Sequence, residues 1–391
     1  MRNEPVTFSI IIRNYNYARY VGDAVDSALS QEHARVQVIV IDDGSTDESI
    51  RVLRSYGAQI HLIERENGGE SAAANCGFAA ASGDWVIFLD SDDVLAPDGV
   101  ATVARHITSS TARIHWRMLL LDERGSITGH LLPPGQVPNY SFEESLLRFG
   151  AVRSVGQSFN AYRQEVLRKI MPADTSLWFR AIDTYMNAVT SAHGETKYID
   201  DILGGYRLHS CSRSLQNTVE VASSQHAMRI HPNLERCLRQ VLDEGKRDFR
   251  YSYPRYHWYH RLASLRLAPE RHPFLHDSRA DLVARIRNAH PGPFRAGLFF
   301  RFRVWCGIQV LAYLPRPILR RIYPTLARYA RRLSLTRGGK RAFKASGTGF
   351  RVGANWRTAF QVPRFGSGRP RMPGGGSTPE RESKVGAMSN T

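Results

Sequence analysis

Residues 38–49 read VIVIDDGSTDES and residues 83–93 read GDWVIFLDSDD. In each, a run of β-forming apolar residues stops abruptly at carboxylates, as happens when a buried strand delivers acids to the carboxyl edge of an α/β sheet. Outward from these two stretches, strand-like runs at 6–12, 36–42, 58–63 and 85–89 alternate with helical candidates near 18–31, 46–56 and 70–82. That order predicts βαβ units, right-handed crossovers and a parallel sheet. Ser45 or Thr46 stands where it would cap the second helix, and Gly83 where it would end the third.

The acids at the end of the second stretch carry the chemistry. Carboxylates are costly to gather unless a cation or a proton neutralises them, so Asp90, Asp92 and Asp93 imply a divalent metal or a catalytic acid pair. A metal at a strand end in turn implies phosphate.

Four motifs follow one another: SIIIRNYNYARYVGDAVDSALSQ from residue 9, VIVIDDGSTDES from 38, NGGESAAANCGFAAASGDWVIFLDSDD from 67 and YRLHSCSRS from 206. Together they resemble the family-2 glycosyltransferases over roughly residues 6–214. The resemblance implies a GT-A type α/β fold, with a mixed, mainly parallel sheet flanked by helices and a nucleotide-sugar donor. Residues 1–214 would form this domain, about 1–100 holding the nucleotide and 101–214 the acceptor. The loop LLPPGQVPNY at 131–140 reads as a lid or a connector.

Roles carry over residue by residue. Asp90-Ser91-Asp92 matches the family's DxD motif, which implies that Asp92 contacts a Mn²⁺ or Mg²⁺ ion while Asp90 lies near the donor. Asp43 resembles the acid that bonds the base, and Tyr15 the ring that stacks on it; a UDP-sugar is favoured, although guanine also offers N–H donors. Gly68 and Gly69 let the backbone approach the donor closely, and Asn75 lies in the same donor-binding stretch. In LWFRAIDTYMNAV, Asp183 falls where the family has its catalytic base, with Asp174 as the nearest rival and a helix cap as the plainer role. His209 corresponds to a third metal ligand or a diphosphate contact, a set that suits Mn²⁺ as well as Mg²⁺. Arg207 is expected to hold phosphate by a bidentate contact.

Three positions depart from the family's pattern. Ile182 stands where a Glu usually precedes the base, Arg13 where Pro is common, and Ala74 where Arg is common. Arg13 would then contribute the positive charge that Ala74 lacks.

Charge divides the chain. Residues 1–210 carry 19 Lys or Arg against 26 Asp or Glu, and the rest 34 against 10. From Leu282 to Pro379 there is no acid and there are 20 Arg or Lys, a bias that calls for an anionic surface. Residues 215–297 read as helical, with the aromatic run YSYPRYHWYHRL at 251–262 serving either helix packing or a lipid or glycan surface. Residues 298–336 are basic, and their apolar stretch Val304–Leu314 is 11 residues long, short of the roughly 20 that cross a bilayer. At 100° per residue, Leu319, Ile322, Tyr323, Leu326, Ala330 and Leu333 share one face of a helix, with Arg320, Arg321, Arg328, Arg331 and Arg332 opposite and Pro324 as a kink. Such a helix lies on an anionic leaflet; a solvated face packed on the catalytic domain and nucleic-acid binding are the alternatives, the last not expected. Residues 337–391, rich in Gly, Pro, Ser and Arg, read as a disordered basic tail.

Cys76, Cys211, Cys237 and Cys306 are widely spaced, which predicts neither a zinc site nor a disulfide framework. No leader peptide is expected, and the sequence reads as that of an enzyme at the inner face of a membrane. The function expected is inverting transfer of a sugar to a hydroxyl of a glycan or lipid-linked acceptor, in cell-surface polysaccharide or glycolipid assembly. A degenerate transferase domain serving as a membrane or polyanion adaptor is the alternative. Nucleotidyl transfer to a sugar phosphate would need a glycine-rich phosphate loop after the first strand, and NYNYARY has no glycine.

Overall fold

The structure, a computed structural model, describes residues 5–33, 35–133, 156–179, 181–210, 221–244 and 310–323, most of 251–288, and residues 141, 142 and 145. The tail at 337–391 and residues 134–140 of the expected lid lie outside the described residues.

The strands are β1 (Phe8–Asn14), β2 (Val36–Asp42), β3 (His61–Glu64), β4 (Trp85–Asp90), β5 (Val94–Leu95), β6 (Thr111–Leu121), β7 (Ile127–Leu132), β8 (Asn160–Arg163) and β9 (Glu195–Arg207). They form one sheet in the order β3-β2-β1-β4-β8-β6-β9-β5, with β7 on β6. The first four are parallel throughout, as is β6 with β9, while β8 enters antiparallel between β4 and β6. This is the mixed, helix-flanked sheet of a GT-A fold.

Alternate residues of the parallel strands face opposite sides, so both sides must be covered and the strands must be apolar throughout. Ile10, Ile12, Val38, Val40, Ile87 and Leu89 pack beneath α1 (Val21–Leu29), with Val21 and Val25. Ile11, Ile39, Ile41, Val86 and Phe88 pack against α3 (Glu70–Ala80) and α7 (Ile182–Ser191). The Ala73, Ala74 and Gly77 face of α3 brings that helix close, since a Cβ on Gly77 would collide with Ile11. Ala74, where the family commonly has Arg, is therefore a fully buried core residue.

Two boundary expectations are corrected. The helix α2 runs Ser49–Arg54 and takes no side-chain cap from Ser45 or Thr46. Ser45 Oγ donates instead to Asp42 Oδ2 at 2.7 Å, and Asp47 Oδ1 accepts from the Ser49 N–H at 3.0 Å. The lone pairs that a cap would use are taken by Asn14 Nδ2 at 3.1 Å and the Asn16 N–H at 2.9 Å, which leaves none for a helix N–H. Gly83 does not cap α3, which ends at Ala80; a Cβ there would run into the backbone of Phe8 and Ser9.

The sequence after the sheet forms helices α8 (Val221–Glu244), α9 (Arg255–Leu267) and α10 (Arg279–Asn288). Leu234, Leu238 and Leu242 of α8 share the core of Ile182, Met186 and Val189, so this helix belongs to the sheet domain's packing. The aromatic run resolves to packing among the described rings: Tyr253 and His257 centroids lie 4.7 Å apart and those of His257 and Trp258 4.9 Å. Tyr251 and His231 share a 2.6 Å hydrogen bond. A second core joins Trp258, Leu262 and Leu267 to Leu282, Ile286, Leu311, Ala312 and Leu319.

That second core bears on the segment expected to lie on a membrane, of which residues 310–323 are described. Over 310–323, the stripe assigned to a membrane packs inside the protein: Leu319 is fully buried and Tyr323 lies against the same cluster. Helical periodicity shows that a stripe must be covered and leaves open by what. Arg266 Nη2 donates to the Leu314 carbonyl at 2.5 Å and Arg320 Nη2 to that of Leu267 at 2.7 Å, so arginines cap the ends of neighbouring helices. Leu326, Ala330 and Leu333 lie outside the described residues, among which no helix is long and apolar enough to cross a membrane.

Candidate active site

Parallel pairing places the ends of β2, β1 and β4 side by side, with Asn14 opposite Asp42 and Arg13 opposite Asp90. Every polar residue that closes these three strands therefore stands at one edge of the sheet.

On the β2 side, Asp42 accepts from Asn14 Nδ2 at 2.8 Å and from the Ser45 N–H at 2.8 Å, which ties the loop after β1 to the loop after β2. Asn16 tightens the join from a left-handed backbone at φ 59°, its Oδ1 accepting from the Thr46 N–H at 2.7 Å. Between them Tyr15 keeps 40% of its surface exposed, a ring left open to stack. Asp43 is buried and accepts from the Gly69 N–H at 2.7 Å, the Gly68 N–H at 3.1 Å and the Arg65 guanidinium. Gly69 sits at φ +83° beneath the Phe179 ring, where any side chain would be both strained and in collision.

At the end of β4, Asp92 Oδ2 lies 3.0 Å from His209 Nε2. The imidazole is held between Tyr17 and Tyr20, with ring centroids 5.5 and 4.7 Å away. Beneath this pair Asp93 is fully buried, its Oδ1 accepting from the Arg207 N–H at 3.0 Å. Burial first, and then Asp92 and Asp90, push the Asp93 carboxyl well above the usual range. Arg207, expected on phosphate, turns inward: Nε donates to the Asp92 carbonyl at 3.0 Å, Nη2 to Asp23 at 2.7 Å, and the guanidinium lies over Tyr20. Its observed contacts hold the Asp92 loop in place.

The third group comes from the acceptor half. Asp183 is in the first turn of α7, and Ile182 before it is a core residue. Burial and then Glu70, in the first turn of α3, push the Asp183 carboxyl up to about 6, against the lowering effect of its bond from the Thr184 N–H. Two latches tie the halves together. Ser71 Oγ donates to the Trp178 carbonyl, and Asn75 bonds Ala173 through both amide ends, at 2.9 and 2.8 Å. Asn75, expected as a donor contact, is thus occupied as a latch. Asp174 caps the short helix α6 (Thr175–Trp178), is exposed, and has its carboxyl lowered by the Ser176 hydroxyl and N–H. Neither feature suits a base.

Glu70, Asp23, Tyr17 and Tyr20 join the site without having stood out in the sequence. Only Glu70 left a signal there, an acid directly after the paired glycines.

A GT-A sheet with these acids gathered along its carboxyl edge is the frame of a glycosyltransferase. A model of glycosyl transferase family 2 matches residues 9–171. An uncharacterized glycosyltransferase of Nostoc is 32% identical over 225 residues, a match covering 56% of this chain and 70% of that protein. The chain belongs to glycosyltransferase family 2. Other matches span less of their relatives: 31% of a Rickettsia felis glycosyltransferase at 31% identity, and 10% of the chondroitin synthase of Pasteurella multocida at 40%. Staphylococcus aureus TarS 1-349, solved with UDP, is 15% identical, with a TM-score of 0.45 over 87% of this chain and 90% of that one. So slight a likeness bears on neither ligand nor mechanism.

Proposed function

We propose that this glycosyltransferase is inverting and metal-dependent, moving a sugar from a nucleotide-diphosphate donor, a UDP-sugar being favoured, to a hydroxyl of a glycan or lipid-linked acceptor in cell-surface polysaccharide or glycolipid assembly. The observation that carries the reading is the placement of Asp183, a part-buried carboxyl at the start of α7 pushed up to about 6, within electrostatic reach of Asp90 and Arg13 at the strand ends. A base with that pKa is ionised at neutral pH and still basic enough to draw a proton from a hydroxyl as it attacks. A single base suits single displacement, in which the acceptor enters opposite the leaving diphosphate.

The residues present fit a divalent ion, because one carboxylate and one imidazole within 3.0 Å make a mixed O/N set suited to Mn²⁺ or Mg²⁺. Among the described residues no group of three such side chains gathers, which leaves the rest of a coordination shell to water and phosphate. When bound, the ion would neutralise charge developing on the leaving diphosphate. Arg207 and Asp93 hold the Asp92 loop rigid, Tyr15 offers a face to the base, and Asp43 fixes the Gly68-Gly69 turn at the start of α3.

Thermal shift against UDP, GDP, dTDP and CDP, each with and without Mn²⁺, tests this. A ligand at about 100 times its dissociation constant adds roughly 2.7 kcal/mol. Stabilisation by one diphosphate, dependent on metal, is expected; none with any would favour the adaptor reading.

The basic C-terminal region is the part we assign to an anionic membrane surface, at the inner face of the membrane, through charge rather than insertion. Arg316, Arg320 and Arg321 are exposed beside Ile318, whereas Leu319 is packed away. An electrostatic attachment weakens steeply with salt. Protein in a membrane fraction should therefore be released by about 1 M salt, where the screening length falls to about 3 Å; retention would point to insertion by residues beyond 323.

A further inference from the structure

Arg13 stands near the end of β1 among the acids of the site, where its charge serves neither the Asp92–His209 pair nor the latches between the halves. It is 8% exposed, and one Nη donates to Asp90. Its Nε and Nη1 are buried without a hydrogen-bond partner among the described residues. Burial opposes the charge, yet Asp90, Glu70 and Asp183 together outweigh it and raise the pKa of the group. The guanidinium therefore lies among Asp90 on the metal side, Asp183 on the acceptor side and the start of α3. On the transferase reading, the glycosyl diphosphate reacts among those same groups.

A guanidinium has five N–H donors in a rigid fork, and buried donors in native proteins almost always find an acceptor. Here Asp90 takes one of them. The alternative, a purely structural counter-ion for Asp90, explains that one bond and leaves two buried nitrogens unsatisfied. A ligand rich in oxygen atoms accounts for those two.

We propose that Arg13 is a donor-contacting residue: pinned on Asp90 through one Nη, it donates from Nε and Nη1 to oxygen atoms of the bound glycosyl diphosphate. The inference rests on the transferase reading. It assigns to the end of β1 the positive charge that α3 lacks, because Ala74 is sealed in the core. The oxygen acceptors belong either to the diphosphate or to the sugar hydroxyls, and binding experiments separate the two.

The test is calorimetric titration, with Mn²⁺ present, of wild type, Arg13→Gln and Arg13→Lys with UDP, GDP, dTDP and CDP and with the glucose conjugate of each. Arg13→Gln should weaken the sugar nucleotide by about tenfold or more, since it removes the charge from both contacts. Equal weakening of the bare diphosphate assigns the contact to phosphate, and weakening confined to the conjugate assigns it to the sugar; both support the proposal. Wild-type affinity for both ligands overturns it. Should Arg13→Gln fail to fold, Arg13→Lys keeps the ion pair with Asp90 but not the fork, and unchanged affinity there overturns the proposal equally. A wild type that binds none of the eight ligands would instead overturn the transferase reading, so the two failures are distinct.

Discussion

Asp183→Asn lowers turnover by about 10²- to 10⁴-fold while nucleotide affinity is retained, the loss expected for a general base that touches the acceptor and not the donor. The wild-type rate also falls as the medium is acidified through about pH 6, because burial and Glu70 place the carboxyl there. Below that value the group is protonated and cannot accept, so the rate drops about tenfold per unit. Glu70 and Asp90 raise the pKa, and Arg13 and the Thr184 N–H lower it. Stability moves the other way. The folded pKa of about 6 exceeds the ordinary 3.8, so this group favours folding most below 3.8, and that contribution is lost as the pH rises through 6. Asp183→Asn should therefore be more stable than wild type at pH 8, by at most about 3 kcal/mol, with the gap closing below about pH 4. Rate profiles and melting curves of both proteins at several pH values check both signs. A variant at the wild-type rate would remove Asp183 as the base, and Asp174, spent on a helix cap, could not replace it.

Asp92→Ala is the second large effect. Its carboxylate is partly exposed and meets His209 at 3.0 Å, while its carbonyl is held by Arg207. Truncation removes a ligand and leaves Arg207 on Asp23 and Asp93 in place, so the fold survives. We expect the metal-dependent stabilisation by nucleoside diphosphate, about 2.7 kcal/mol at 100 times the dissociation constant, to vanish. Transfer activity should fall by about 10³-fold or more, as when the stabilisation of a leaving charge is lost. Calorimetry with and without Mn²⁺, beside a product assay, decides it. Full metal-dependent binding in the variant would put the ion elsewhere.

The parallel half of the fold was legible because its central strands are buried on both sides and so read as apolar runs, two of which, β2 and β4, end in acids. Asp42, Asp43, Asp90, Asp92 and Asp93 were legible for the same reason, since they close or directly follow those two runs, whereas Asp183 was found only through the family resemblance. Side-chain partners were not. Ser45 looked like a cap but serves Asp42, Asn75 looked like a donor contact but latches α3 to Ala173, and Arg207 looked like a phosphate ligand but is spent on Asp23 and the Asp92 carbonyl. In each case the residue type suited two partners, and the nearer one in space took it. The stripe through Leu319 was legible as a covered face, whereas its cover, the core around Trp258 and Leu282, comes from distant helices.

From the sequence alone came the first four strands, the acids that close β2 and β4, and the split of charge between the two parts of the chain, since each is set by neighbouring residues. Tertiary structure decided which charges meet. His209 reaches Asp92 across 117 positions and Arg13 reaches Asp90 across 77, while Glu70 acts on Asp183 from another helix. The reason is physical: a pKa, an ion pair or a metal-ligand set depends on distance through space and on burial, and separation along the chain determines neither.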